Sequence, residues 1–379
     1  MNHHNTSYQN KRMQEITIGI MIPTSGILPM GKQFDKAFKK AIKLELSNTD
    51  CELEIITEMI GQGNPVMIEK SLDKFFGYHD ANLVTGLFTN HAMGSFVDKF
   101  EKRKVPLIIN NLGEHLIPSK GYNSQVLINS THLWQHCWAM GQYAAQNLGK
   151  KGLILSSMFD AGYAFLNCIQ LGLYSEDENF DHDLRLLPLP EPGKLSQVKE
   201  AFDNIDMSEY DFVFPLFCGE EATIFLEEFH SRELMSKTKL IGLPYLLELK
   251  EKDLSGLELI STAHENQPKG DLLWKGIFET MGKNCGHAVG RVIAKNLENI
   301  DAEELIKEML AIDGGKEYDS TKIPCLKEKI RLVRHKVKAG NQVVSEDIIS
   351  VDADLKNDEK IRQSRDAISS SWMNSYLAV

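Results

Sequence analysis

Residues 16–45 read ITIGIMIPTSGILPMGKQFDKAFKKAIKLE, and residues 83–111 read LVTGLFTNHAMGSFVDKFEKRKVPLIINN. The first stretch begins with a β-rich run, Ile16–Ile22, that stops at Pro23. A polar turn, Thr24-Ser25-Gly26, leads to a helical pattern from about Lys32 to Ser47. Its apolar residues Phe34, Ala37, Phe38, Ala41 and Ile42 recur at three- and four-residue spacing, which places them on one face. The second stretch repeats the unit. Strand Leu83–Phe88 meets a polar loop at Thr89 and Asn90, a helix buries Phe96, Val97 and Phe100, and strand Val105–Ile109 ends at Asn110-Asn111. Between the two lie strand Leu53–Thr57 and a helix opened by Asn64 as cap with Pro65 at its first position. Strands alternating with helices of this length predict a parallel sheet with right-handed crossovers. The loops leaving the strand carboxyl ends then share one edge, where ligands bind in open α/β sheets.

The alternation continues outward. A helix around Trp134–Leu148 stops at Gly149, and strand Gly152–Ser156 and a helix near Tyr163–Tyr174 follow. Leu184–Leu187, Asp211–Phe217, Lys239–Leu243 and Leu257–Ala263 read as strands, with helices near Leu195–Asn204 and Glu220–Ser231. Two further helices are expected near His287–Leu297 and Ala302–Leu310. Ile330–Val337 and Gln342–Ile349 flank Ala339-Gly340-Asn341 and read as a hairpin. The tail after Asp354 is polar and reads as a peripheral helix or a loosely held segment. No short fixed repeat and no low-complexity linker interrupts the pattern.

At 379 residues the chain is longer than one hydrophobic core usually serves, so two lobes are expected. Hydrophobic residues at 42% and charged residues at 25% are ordinary for a soluble globular protein. A net charge of −11 argues against nucleic acid or an anionic membrane as partner. No apolar run is long enough to span a bilayer. The polar start, Met1 to Glu15, lacks the apolar stretch of a secretory leader, so a cytoplasmic protein is expected as written, and a periplasmic one if the start is trimmed or misread. The six cysteines (Cys51, Cys137, Cys168, Cys218, Cys285 and Cys325) form no CxxC pair or Cys/His cluster and read as reduced, mostly buried thiols.

Enzyme signatures are missing. GxGxxG and GxxxxGK[ST] do not occur, which argues against dinucleotide and P-loop sites. HExxH and GxSxG do not occur either. No metal or cofactor is expected. His136, beside Trp134, Cys137 and Trp138, reads as a packed helix residue, while His264-Glu265 at a strand end either lines a cleft or makes a turn.

In order and spacing, the stretches 16–45 and 83–111 and the hairpin IRLVRHKVKAGNQVVSEDI (330–348) resemble the type I periplasmic binding proteins of the leucine/isoleucine/valine-binding kind. The resemblance covers about residues 16–350. It implies an α/β fold of two Rossmann-like lobes, with parallel sheets flanked by helices and three crossings between them. One lobe would hold 15–127 and 259–329, the other 128–258 and 330–352, with 353–379 as a peripheral tail. The lobes would close on a small polar metabolite (an amino acid, amide or short carboxylate) without transforming it. Such a receptor is the solute-binding component of an ABC-type transporter working with a membrane permease. The alternative is a cytoplasmic sensor of the amide-receptor type that works with a regulatory protein.

The resemblance also implies site residues. Thr89 and Asn90 sit where a helix amino terminus grips an anion, with Asn90 either capping that helix or touching ligand. Asn110 and Asn111 offer amide donors and acceptors or make a simple turn. Ser25 lies in the first loop beside Met30, a packing residue or a ligand wall. In the second lobe, Asp160 either pairs with a ligand amine or caps a helix. Tyr163 follows Gly162, near the family's Tyr-Gly position. Phe217 and Glu220 would suit an ammonium, though Glu220 at a helix start is also favourable dipole chemistry. Pro244 and Tyr245 stand where the family tends to place an amine-binding acid, which puts an α-amino-acid ligand in doubt.

Overall fold

A computed structural model describes residues 14–190, 196–247, 252–267, 274, 276–352, 359–367 and 372–378. The amino-terminal stretch on which the leader reading rests lies largely outside them. The elements run β1 (Gln14–Ile22), α1 (Met30–Glu45), β2 (Cys51–Met59), α2 (Pro65–Gly77), β3 (Leu83–Leu87), α3 (Asn90–Met93), α4 (Val97–Arg103), β4 (Leu107–Asn111) and β5 (Val126–Ser130). They continue with α5 (Leu133–Asn147), β6 (Lys151–Ser157), α6 (Phe165–Glu176), β7 (Asp181–Leu187), α7 (Val198–Asn204), β8 (Phe212–Leu216), α8 (Gly219–Ser231) and β9 (Lys239–Leu240). Last come β10 (Glu258–His264), α9 (Ile277–Lys295), α10 (Ala302–Ile312), β11 (Ile330–Lys338), β12 (Gln342–Val351) and α11 (Glu359–Ser364).

The first sheet is parallel, in the order β2-β1-β3-β4-β5. The second, β7-β6-β8-β9, is also parallel. A third sheet, β10-β11-β12, is antiparallel and adjoins the second through a bridge from Ile241 to Ile260. Near-continuous burial of β1 and β3–β6 reflects helices on both faces of the parallel sheets. α9 returns to the first lobe and packs along α1.

The strand pairings move two expected lobe boundaries. β5 lies wholly in the first sheet, so the first crossing follows Ser130 instead of dividing 127 from 128. β10 lies beside the second sheet, so residues 259–264 belong there rather than with the first lobe. Pairing partners, not local sequence, assign a strand to a sheet, and they are remote in sequence. α9 also begins ten residues before the expected His287. Gly282 and Gly286, which weaken helix propensity, sit inside it.

The tail departs most from expectation. Within the described part of the tail, residues 372–378 are not peripheral. Ser375, Tyr376, Leu377 and Ala378 are all buried, and the segment lies between the two lobes.

Candidate functional site

Each parallel sheet reverses its strand order once, at β1/β3 in the first lobe and at β6/β8 in the second. A crevice opens beyond the strand carboxyl ends at such a reversal. The loops after β1 and β3 supply Ser25 and Thr89. The loop after β6 supplies Asp160, Gly162 and Tyr163. Residues 372–378 lie where these loops meet.

Three hydroxyls reach alternate carbonyls of that segment. Thr89 Oγ1 donates to the Met373 carbonyl at 3.2 Å. Tyr163 OH lies 3.5 Å from the Ser375 carbonyl, at the limit of a hydrogen bond. Ser25 Oγ donates to the Leu377 carbonyl. Asn374 Nδ2 donates to Tyr163 OH at 2.6 Å, and Trp372 Nε1 donates to the Phe159 carbonyl at 3.1 Å. The Tyr376 ring sits in an aromatic box, with centroids 5.3 Å from Tyr163, 4.9 Å from Phe165 and 6.2 Å from Tyr245, all near edge-to-face. Residues 375–378 close a turn through Ala378 N–H to the Ser375 carbonyl at 2.9 Å.

Two carboxyl groups border the box. Glu114, on the loop after β4, is 1% exposed and lies near the backbone N–H groups of its own residue, Tyr376, Leu112 and Gly113, but among the described residues neither carboxyl oxygen makes a hydrogen bond. Burial outweighs those donors and pushes it up to about 7. Asp160 accepts from Ser157 Oγ at 3.2 Å, and burial followed by repulsion from Glu221 raises it to about 7. His115, next to Glu114, is held down near 4, by burial first and then by His91.

Of the nine residues expected from the sequence, Ser25, Thr89 and Tyr163 touch the segment in the cleft, and Asp160 borders it. The others are placed differently. Thr89, not Asn90, caps α3 by accepting from the Ala92 N–H at 2.9 Å, so that donor is spent and the four-residue helix offers no anion site. Asn90 Oδ1 accepts from Asn111 Nδ2 at 2.9 Å, and Asn111 Oδ1 accepts from the Gly113 N–H at 3.0 Å, so this amide pair braces the loop. Asn110 is fully buried within the sheet, donating to Thr85 Oγ1 and the Gly86 carbonyl and accepting from Asn129. Phe217 packs against Phe225 in the second lobe's core at 5.5 Å. Glu220 is exposed in the first turn of α8. Its neighbour Glu221 turns inward, accepting from Ser196 Oγ at 3.2 Å, and burial raises it. Met30 is core.

Glu114 and the tail were missed as site elements, and Tyr245 was noted only for the acid that does not stand there. Glu114 lies on the loop that follows strand four, three residues past Asn111, and a carboxylate there was a usable signal. The run Trp372-Met373-Asn374-Ser375-Tyr376-Leu377 was another, an apolar and aromatic cluster closing a polar tail.

A second buried cluster lies where the chain crosses between the sheets. His132 follows β5, His264 ends β10, and Glu328 precedes β11. His136 and Trp274 complete it, with His264 4.8 Å from His136 and 5.1 Å from Trp274 between ring centroids. His264 Nδ1 is 3.2 Å from Glu328 Oε1, yet burial, as the largest influence, lowers His264 to about 3 and raises Glu328 to about 7. The imidazole is therefore uncharged near neutral pH and the contact is no full ion pair, because removing both charges from water costs more than their attraction returns. Among the described residues no group of His, Cys, Asp or Glu is arranged to hold a metal ion.

No protein-family model matches the chain, and no curated protein matches it in sequence. Solved structures do match. An ABC transporter substrate-binding protein from Sphaerobacter thermophilus aligns with a TM-score of 0.62 at 18% identity, over 90% of this chain and 98% of that one. A solute-binding protein of an ABC transporter from Rhodopseudomonas palustris BisB5, in complex with 3,4-dihydroxybenzoic acid, gives 0.62 at 18% identity over 89% and 98%. A leucine-binding protein from Thermotoga maritima gives 0.58 at 14% identity over 89% and 99%. The chain has the fold of type I periplasmic binding proteins.

Proposed function

We propose that this chain is a non-catalytic receptor that captures a small polar ligand in the cleft between its lobes, as the solute-binding component of an ABC-type transporter. One observation carries the reading. Ser25 and Thr89 from one lobe and Tyr163 from the other converge on the same short segment, an arrangement suited to closing on an occupant. The box of Tyr163, Phe165 and Tyr245 favours a flat ring, and the Glu114 and Asp160 carboxyls favour N–H or O–H donors on it. The ligand named for the Rhodopseudomonas neighbour, a dihydroxylated benzoic acid, has that combination. Leucine, which the name of the Thermotoga neighbour specifies, lacks the ring.

The test is thermal unfolding of the full chain and of Tyr376→Ala, which empties the box, against hydroxybenzoates, aromatic amino acids and leucine. A ligand present at 100 times its Kd should stabilise by about 2.7 kcal/mol. The binder should be recovered chemically unchanged after incubation. Turnover of the binder, or no shift with any compound in either protein, would sink the reading.

A further inference from the structure

What fills the cleft is a stretch of the chain itself, and the way it is held has the character of peptide recognition. The carbonyls of Met373, Ser375 and Leu377, each two residues from the next, meet hydroxyls of Thr89, Tyr163 and Ser25. These contacts read no side chain. The Tyr376 backbone lies near the buried Glu114 carboxyl without a hydrogen bond to it. Side chains are engaged at three positions: the Tyr376 ring enters the aromatic box and is 1% exposed, Asn374 Nδ2 donates to Tyr163 OH, and Trp372 Nε1 donates to the Phe159 carbonyl. Backbone carbonyls gripped generically and an aromatic side chain buried as anchor are features of peptide recognition elsewhere, here with the segment turned at 375–378.

The surrounding backbone is cut to the same occupant. A Cβ on Gly162 would fall 2.2 Å from the Trp372 ring, and one on Gly63 would fall 2.8 Å from the Met373 carbonyl. Leu377 is held at a φ of 71°, a conformation that a branched side chain keeps only when its neighbours enforce it.

We propose that the cleft is a peptide site with a tyrosine pocket, and that residues 372–378 are its tethered occupant. A free peptide carrying the same anchor binds by displacing the tail. The proposal rests on the receptor reading above and names its ligand class. A tethered segment competes at an effective concentration of order millimolar, so a peptide of ~10 μM intrinsic affinity is weakened about 100-fold in the intact chain.

The test uses the full chain and the full-chain variant Tyr376→Ala/Leu377→Asp, titrated with a fluorescein-labelled peptide of sequence WMNSYLA by fluorescence anisotropy. The variant should bind at least tenfold more tightly than the native chain, and a peptide with alanine at the tyrosine position should not bind. Equal affinity in the two proteins, or no binding by a variant that still melts cooperatively, overturns the proposal. If that variant binds 3,4-dihydroxybenzoate but not the peptide, the peptide proposal fails while the receptor reading stands. Should the variant not fold, hydrogen exchange on the native chain decides. Slow exchange at the Tyr376 and Ala378 amides that speeds up when excess peptide is added supports the proposal. Exchange at the rate of an unstructured peptide overturns it.

Discussion

Asp160 illustrates how a residue's surroundings set its chemistry. Its carboxyl is buried and raised to about 7, while the unfolded chain would titrate near 3.8. The folded protein therefore holds a proton that the unfolded one releases, and stability attributable to Asp160 is lost as pH rises from about 4 to about 7. Asp160→Asn, which cannot ionise, should gain on the native protein by on the order of 1–4 kcal/mol between pH 5 and pH 8 in urea titrations. A gap that does not change with pH would show that Asp160 ionises freely. Gly162 gives a second residue-level prediction. Its missing side chain is space taken by the Trp372 ring. Gly162→Ala should displace that ring, with a red shift in tryptophan emission and little change in the melting point. A large loss of stability would instead mean that the glycine serves the β6–α6 loop itself. Neither environment could be read from local sequence, although Asp160 and Tyr163 were legible as candidates from their place at a strand's carboxyl end.

At the scale of elements, the α1–α9 pair shows why some of the chain was misread. Gly282, Gly286 and Gly290 recur every four residues along α9 and face α1. A Cβ at Gly282 would fall 2.3 Å from the Phe34 carbonyl, one at Gly286 2.6 Å from the Phe38 carbonyl, and one at Gly290 2.7 Å from Glu45. These glycines, which lower helix propensity, are what let the two helices approach so closely. Gly141 of α5 and Gly172 of α6 make a similar approach, each within 2.2 Å, as a built Cβ, of the other helix's backbone. Gly286→Leu should therefore cost about 1–3 kcal/mol through overpacking, measured as a lower urea midpoint at unchanged slope. A neutral result would mean that the helices can separate freely. α1 itself was legible because its apolar face repeats at helical spacing, whereas α9's start was hidden by residues whose role is a contact 250 positions away.

At the scale of the whole molecule, three chain crossings meet at the His132, His136, His264 and Glu328 cluster. Burial lowers His264 to about 3 against an ordinary 6.5. As pH falls below 6.5 the unfolded chain takes up a proton that the folded chain refuses, so His264 costs stability from pH 6.5 downward. Glu328, raised to about 7, acts in the opposite direction between about 4.5 and 7, which blunts the dependence of the native protein. His264→Gln isolates the histidine. Whatever its offset at pH 7.5, the variant should gain on the native chain as pH falls to 5, read as the difference between their melting temperatures. A difference that stays constant, or widens against the variant, would mean that the imidazole is charged in the folded state.

The sequence by itself determined the α/β class, the alternation that builds parallel sheets, and the edge on which a site would form. These follow from local periodicity and from the geometry of crossovers. It also nominated Ser25, Thr89, Asp160 and Tyr163 as candidates, because residues just past a strand's carboxyl end have few other places to point. Only the tertiary structure decided that Asn110 is spent inside the sheet, that Phe217 is core and Glu220 solvent-facing, and which sheet owns β10. It alone placed residues 372–378 between the lobes. Those outcomes depend on which groups outside the local pattern compete for a hydrogen bond or a buried face, and for residues 372–378 the partners lie more than 200 residues away.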